Sequence, residues 1–348
     1  MIHFIPNKED FYMEDKKRFH SSMGTLMDAY MRFYTAKGCK EETLYSTLSN
    51  LDFHLVSINY DKDYINESAF HSWLDSINYL KPITRYAYRY KIANFCRYLS
   101  SIGHSSFIPI KTKTVRCNFT PYIFSEEEIQ RIFIVMDNWR DLRYHHHTCV
   151  FAMSALLRLL YSTGMRINEA LNIKNQDVDF KRHTISLIMT KNKESRLSPI
   201  NESMEKVLRQ YISYRDKMPI KNIDAPDAYL FVNLSGGQLN SSQVLSRFRI
   251  ILKTAGIPNH PTKHVPRLHD IRHTTCTHVL IKMIRSGKDP YCCLPILSKF
   301  MGHMEVSFCE YYLRLTQNMY PELIKKDVGV TSSVKEIISR TLIIENYE

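Results

Sequence analysis

Arg166 stands in LLYSTGMRINEAL, Leu159 to Leu171, where Ser-Thr-Gly interrupts a segment whose upstream part, CVFAMSALLRLLY, is apolar enough to be buried. A guanidinium stays charged, and leaving it unpaired in an apolar surrounding is costly. Arg166 therefore has either a carboxylate inside the fold, with Glu169 three residues on, or an anion from outside. Two further segments carry charge into apolar surroundings. In RLHDIRHTTCTHVL, His269 and Arg272 are three apart and share a face if the segment is helical. In LSKFMGHMEVSFCEYYLRL, His303 follows a glycine, and Tyr311 and Tyr312 lie further along.

Together these types could transfer a phosphoryl group. Arg166 and Arg272 could each hold phosphate oxygens through a fork of N–H donors. Lys191, between two β-branched runs, could protonate a leaving alkoxide. His269 and His303 could donate hydrogen bonds or move protons near neutral pH. A tyrosine hydroxyl could attack phosphorus once flanking cations ease the loss of its proton. Each group also has a plainer use. Arg166 and Glu169 could be an internal ion pair. Lys191, Lys193 and Arg196 could be a solvated cluster, and the tyrosines could be core. His269 and His273 are spaced like half of a zinc site, but Asp270 stands where H-E-x-x-H needs its glutamate. No GxxxxGK[ST] loop offers a nucleotide phosphate cradle.

These groups need a scaffold, and the chain is long enough to build one. Its 348 residues suffice for two domains, and 44% are hydrophobic. Lys and Arg exceed Asp and Glu by 47 to 35, which favours a polyanionic partner. The 8 cysteines form no CxxC pair, the first residues lack a secretory pattern, and no apolar run is long enough to span a membrane. A reduced, cytoplasmic protein is expected.

From about 20 to 101 the pattern is helical throughout, as four segments of a small bundle. The last, KPITRYAYRYKIANFCRYLSSIG, carries Lys81, Arg85 and Arg89 four apart, with Lys91 and Arg97 beyond and Tyr86, Tyr88 and Tyr90 interleaved. Such a face suits a phosphate backbone, or else is a solvated face over an aromatic core. A basic Pro/Ser/Thr-rich stretch then marks a domain boundary, taken at 115/116, and Ser125 is the expected N-cap of the next helix. HTISLIMTKNKESRLSPI reads as a β-hairpin with Lys191 at its tip. The expected fold is mainly α, with a small sheet or hairpin in the C-terminal domain. Residues 333–346, opened by Ser333 and Glu336, read as a terminal helix.

The order and spacing of these pieces resemble the tyrosine recombinase (phage integrase) family. STGMRINEALNIKNQDVDF resembles its first arginine box, MTKNKESRLSPI its hairpin, LHDIRHTTCTH its H-x-x-R box and MGHMEVSFCEYY the box that ends in the nucleophile. The resemblance places catalytic roles on Arg166, Lys191 (with Lys193 as second claimant), His269, Arg272, His303 and Tyr312, with Glu169 in support. It selects Tyr312 over Tyr311 by its distance from His303. The segment SGKDPYCCLPILSKFMGH is similar to transposon and plasmid-type recombinases. The resemblance implies a two-domain, C-shaped clamp on double-stranded DNA and a 3′-phosphotyrosyl intermediate. It also implies assembly as a homo-tetramer, and no metal, nucleotide cofactor or membrane. A type IB topoisomerase and a non-catalytic DNA-binding regulator of the same fold are the alternatives.

Overall fold

The computed structural model describes residues 18–39, 41–113, 120–139, 148–188, 195–257 and 265–302, together with Tyr312, Leu313 and Thr316. Two compact units divide the chain, Met1–Phe119 and Thr120–Glu348.

In the first unit, four helices pack on one another: α1 (Gly24–Ala36), α2 (Glu41–Ser57), α3 (Glu67–Ser76) and α4 (Pro82–Ser101). Their apolar stripes meet in a core that contains Met23, Met27, Leu48, Leu51, Trp73 and Phe95, all almost fully buried. Several polar groups buried against it are paired, as burial demands. The Trp73 indole N–H donates to Asn50 at 2.9 Å, and the Asp52 carboxylate accepts the backbone N–H groups of His20 and Ser21 at 2.8 and 2.9 Å. Pro82 at the first turn of α4 needs no amide partner there.

The second unit opens with α5 (Glu126–Asp137). Ser125 caps it in a reciprocal capping box with Glu128, as the sequence predicts. Then follow α6 (Val150–Thr163), the short α7 (Ile167–Leu171), β1 (Val178–Asp179), β2 (Thr184–Leu187), β3 (Arg196–Pro199), α8 (Glu202–Arg215), α9 (Ser241–Thr254), α10 (Leu268–Arg285) and α11 (Pro290–Met301). The sheet is antiparallel in the order β1-β2-β3. β2 and β3 pair antiparallel, as the alternating pattern predicts, and β1 extends the sheet by a strand too short to show in that pattern. The apolar helix α6 is central: it packs on α5, α7, α8 and α10. Helices α6 and α11 both end on glycines in the left-handed region, Gly164 at φ 62° and Gly302 at φ 64°, which a residue with a Cβ adopts only with strain. These two C-termini frame the site.

Candidate functional site

Arg166 sits at the N-cap of α7, directly after the turn that Gly164 permits. The Glu169 carboxylate accepts its backbone N–H at 2.9 Å and its Nη1 at 2.7 Å. Arg267 and Asp270 repeat the device at the start of α10: Asp270 accepts the Arg267 backbone N–H at 2.8 Å and its Nη2 at 3.0 Å. In both segments an acid at the third helical position fixes the entry of the helix. The ion pair and the external anion, posed by the sequence as alternatives for Arg166, are compatible. The Glu169 side chain uses only part of the guanidinium fork.

A second arginine shares that carboxylate. Arg196, the first residue of β3, donates from Nη2 to Glu169 at 2.7 Å and from Nη1 to the Phe300 carbonyl at 3.2 Å. The sequence offered Arg196 as part of a solvated cluster, and the structure corrects this: its side chain is only 12% exposed. The cause is strand register. Arg196 pairs with Leu187 and Ser198 with Ile185, so both share the inward face with buried aliphatic residues, and Leu197 points out at 65% exposure. The alternation of RLSP, read against the apolar positions of β2, is the signal that could have found it. Burial alone would raise the Glu169 pKa. Hydrogen bonds from Arg166 and the charge of Arg196 outweigh it and hold the carboxyl below its ordinary value.

Arg272 is buried, with 4% exposure. It donates from Nη1 to the Gly164 carbonyl at 2.6 Å and from Nη2 to the Met301 carbonyl at 2.7 Å. One guanidinium thus ties the C-terminus of α6 to that of α11, where helix dipoles favour a cation. Burial, with Arg166 beside it, lowers its pKa to about 10, so it remains charged at neutral pH. The carbonyls take two of its hydrogens without cancelling its charge. Among the described residues, the Arg166–Arg196–Arg272 cluster holds three guanidinium groups around one carboxylate, Glu169. Such a cluster is electrostatically short of an anion.

His269 lies on the same turn of α10, solvent-exposed along part of its side chain. Desolvation by the protein around it and then the charges of Arg272, Arg267 and Arg166 push its pKa down to about 4. It is a neutral hydrogen-bonding group at physiological pH. In nuclear magnetic resonance titrations the His269 ring is expected to protonate only near pH 4. Its folded pKa lies below the unfolded value of about 6.5, so this group lowers stability progressively as pH falls from 6.5 to 4 and has no effect above. Titration near 6.5 would contradict the crowding of cations described for the site.

Tyr312 is 3% exposed and packs with Cys276, Leu297 and Met301. Its charge state is felt at Arg272. Its hydroxyl is 2.9 Å from Nδ1 of His273, one residue beyond Arg272. The His273 ring in turn meets that of His269 edge-on, at 5.1 Å between centroids. By spacing alone, His273 resembles only half of a metal pair with His269. Among the described residues no three His, Cys, Asp or Glu side chains are grouped to hold a metal. The structure therefore brings together Arg166, Glu169, His269, Arg272 and Tyr312, and adds Arg196 and His273. Lys191, Lys193, His303, Tyr311 and residues 333–346 lie outside the described residues.

Truncation of Arg196 to alanine is expected to slow any reaction at the site by about tenfold to a hundredfold, by analogy with groups that orient a first contact from behind. It would also destabilise the unit by about 1–3 kcal/mol, because the Phe300 carbonyl and a Glu169 oxygen lose a buried donor. Equal activity and equal melting behaviour would remove Arg196 from the site.

The basic face of the first unit is uneven. Lys81 and Arg97 are exposed, the latter also donating to Asn94 at 2.6 Å. Arg85 lies 3.8 Å from Asp75, and Arg89 donates to the Ile110 carbonyl at 3.0 Å. Lys91 turns toward α2 and donates to the Thr43 carbonyl at 2.8 Å, so its ammonium is already engaged. No helix among the described residues is long and apolar enough to cross a membrane.

Comparison with known proteins gives this arrangement its context. Residues 123–319 match the model described as "Phage integrase family". The y4rB protein of Sinorhizobium fredii, named as an integrase/recombinase, is 31% identical over 260 residues, 73% of this chain and 76% of that one. Tyrosine recombinase XerC of Bacillus pumilus is 29% identical over 199 residues, which span 57% of this chain and 58% of XerC. Among solved structures, the XerH site-specific recombinase bound to its palindromic difH substrate is similar in fold. Its TM-score is 0.59 at 19% identity, with 80% of this chain and 79% of that one covered.

Proposed function

We infer what this chain does from what it is: it belongs to the phage integrase family, the tyrosine recombinases. It is a site-specific DNA recombinase that breaks and rejoins strands. The observation that carries the residue assignment is the cluster of three arginines around Glu169, with the buried Tyr312 bonded through its hydroxyl to His273, the residue after Arg272.

In this reading Arg166 and Arg272 hold the non-bridging oxygens of the scissile phosphate and stabilise the charge that develops there. Tyr312 attacks phosphorus and forms a 3′-phosphotyrosyl bond, which releases a 5′-hydroxyl. Lys191 protonates that leaving oxygen. His303 hydrogen-bonds the phosphate, and neutral His269 binds the phosphate or takes the tyrosine proton. Glu169 keeps the Arg166 fork aimed. The phosphotyrosyl bond conserves the energy of the broken one, and the guanidinium groups supply the positive charge, so neither nucleotide nor metal takes part. The first unit, through Lys81, Arg85, Arg89 and Arg97, grips the duplex backbone. Lys91, held by Thr43, contributes less. Four copies assemble on two duplexes, with the segment 333–346 bridging neighbours, and the reaction takes place in the cytoplasm on double-stranded DNA.

The test is recombination itself. Two copies of the DNA that flanks the coding region, placed on one plasmid, should yield excision or inversion products with purified protein and no added metal or nucleotide. Relaxation of an arbitrary supercoiled plasmid, with no exchange between sites, would instead assign the chain to topoisomerase chemistry.

A further inference from the structure

The proton of the nucleophile needs a destination, and the family resemblance offers His269 for it or for the phosphate. The obvious candidate by position is His269, three residues before Arg272. Two observations count against it. Its ring stands beside guanidinium groups, which disfavour any added positive charge. Among the described residues, the imidazole bonded to the Tyr312 hydroxyl is that of His273, at 2.9 Å. Helix geometry explains the choice. His269 and His273 lie one turn apart on one face of α10, so their rings touch. His269 is the exposed member of the pair and His273 the half-buried one. The Tyr312 ring lies on the His273 ring, with centroids 5.7 Å apart, and is walled by Cys276 and Met301.

We propose that His273 is a catalytic residue that accepts the hydroxyl proton of Tyr312 as its oxygen attacks the phosphate. The proposal rests on the recombinase reading and deepens it. With the His273 proton on Nε2, Nδ1 presents its lone pair and the phenol donates. In the cleavage step the Tyr312 O–H bond breaks and its proton passes to Nδ1. The bond from Tyr Oη to phosphorus forms, and the bond from phosphorus to the 5′-oxygen breaks. The 5′-oxygen takes a proton from the general acid. One proton is removed and one delivered, so the step is balanced without a further reactant. In rejoining, the 5′-hydroxyl attacks, and His273 returns its proton to the departing Tyr312. His269 is left to the phosphate.

The test compares single-turnover formation of the covalent adduct on a nicked duplex that carries the site cut by wild-type protein. The adduct of the wild type, absent in Tyr312→Phe, secures the reading on which the proposal rests. The variants then bear on His273 alone. His273→Ala should bind the duplex with unchanged affinity and cleave about 10²–10⁴-fold more slowly. Added imidazole should restore part of that rate in proportion to its concentration, because it supplies the missing acceptor. His273→Asn keeps a hydrogen-bonding group of similar size that cannot take a proton, and should be as slow as the alanine variant. Wild-type rates in either variant would overturn the proposal. So would a slow alanine variant, bound normally to DNA, on which imidazole has no effect.

Discussion

Replacement of Arg272 by lysine is expected to slow adduct formation by about 10²–10³-fold, the cost of removing one preorganised donor from a developing oxyanion. Charge is conserved in this variant, so the loss measures geometry. The Arg272 fork spans the Gly164 and Met301 carbonyls, at 2.6 and 2.7 Å, and in the proposed complex its remaining N–H groups are left for the phosphate. An ammonium is a point donor on a flexible stem and cannot do all three. One carbonyl is left buried without a donor, which adds a stability loss of about 1–3 kcal/mol. Rates measured below the melting transition of the variant separate the two effects. A lysine variant that cleaves at the wild-type rate would show that Arg272 is only a brace between two helix ends.

Tyr312→Phe is expected to abolish the adduct while DNA affinity stays within about twofold of wild type. The ring keeps its packing against Cys276, Leu297 and Met301, and the hydrogen bond to His273 is lost. Such a loss costs about 1 kcal/mol of stability, too little to unfold the unit. Gel-shift affinity and cleavage should therefore part company completely. A variant that failed to bind would instead give Tyr312 a structural role.

Much of this site is legible in the sequence because its chemistry is local. Arg166 and Glu169, and Arg267 and Asp270, meet within a single helical turn, so their spacing alone is informative. Helices α1 to α6 follow from apolar periodicity and end signals such as Gly164. What stayed hidden is what depends on pairing between distant segments. Arg196 reads as a surface cation until the register with Leu187 turns it inward, and its partners Glu169 and Phe300 come from two other elements. His273 reads as half of a metal pair until Tyr312, 39 residues on, comes to rest against it. Lys91 reads as one more cation of the basic segment, yet α2 offers its ammonium a carbonyl. Periodicity gives a face; it does not give the neighbour that claims a side chain.

The central claim is that Tyr312 becomes covalently joined to DNA in a pocket made for phosphate by Arg166 and Arg272. The most direct measurement offers nicked duplexes, cut from DNA beside the coding region, to purified protein without metal or nucleotide. Any adduct that survives detergent is digested and its nucleotide-bearing peptide sequenced by mass spectrometry. The account predicts a 3′-phosphate on Tyr312, in wild type only and not in Tyr312→Phe. An adduct on another residue, or specific binding to the duplex with no adduct at any nick position, would contradict it.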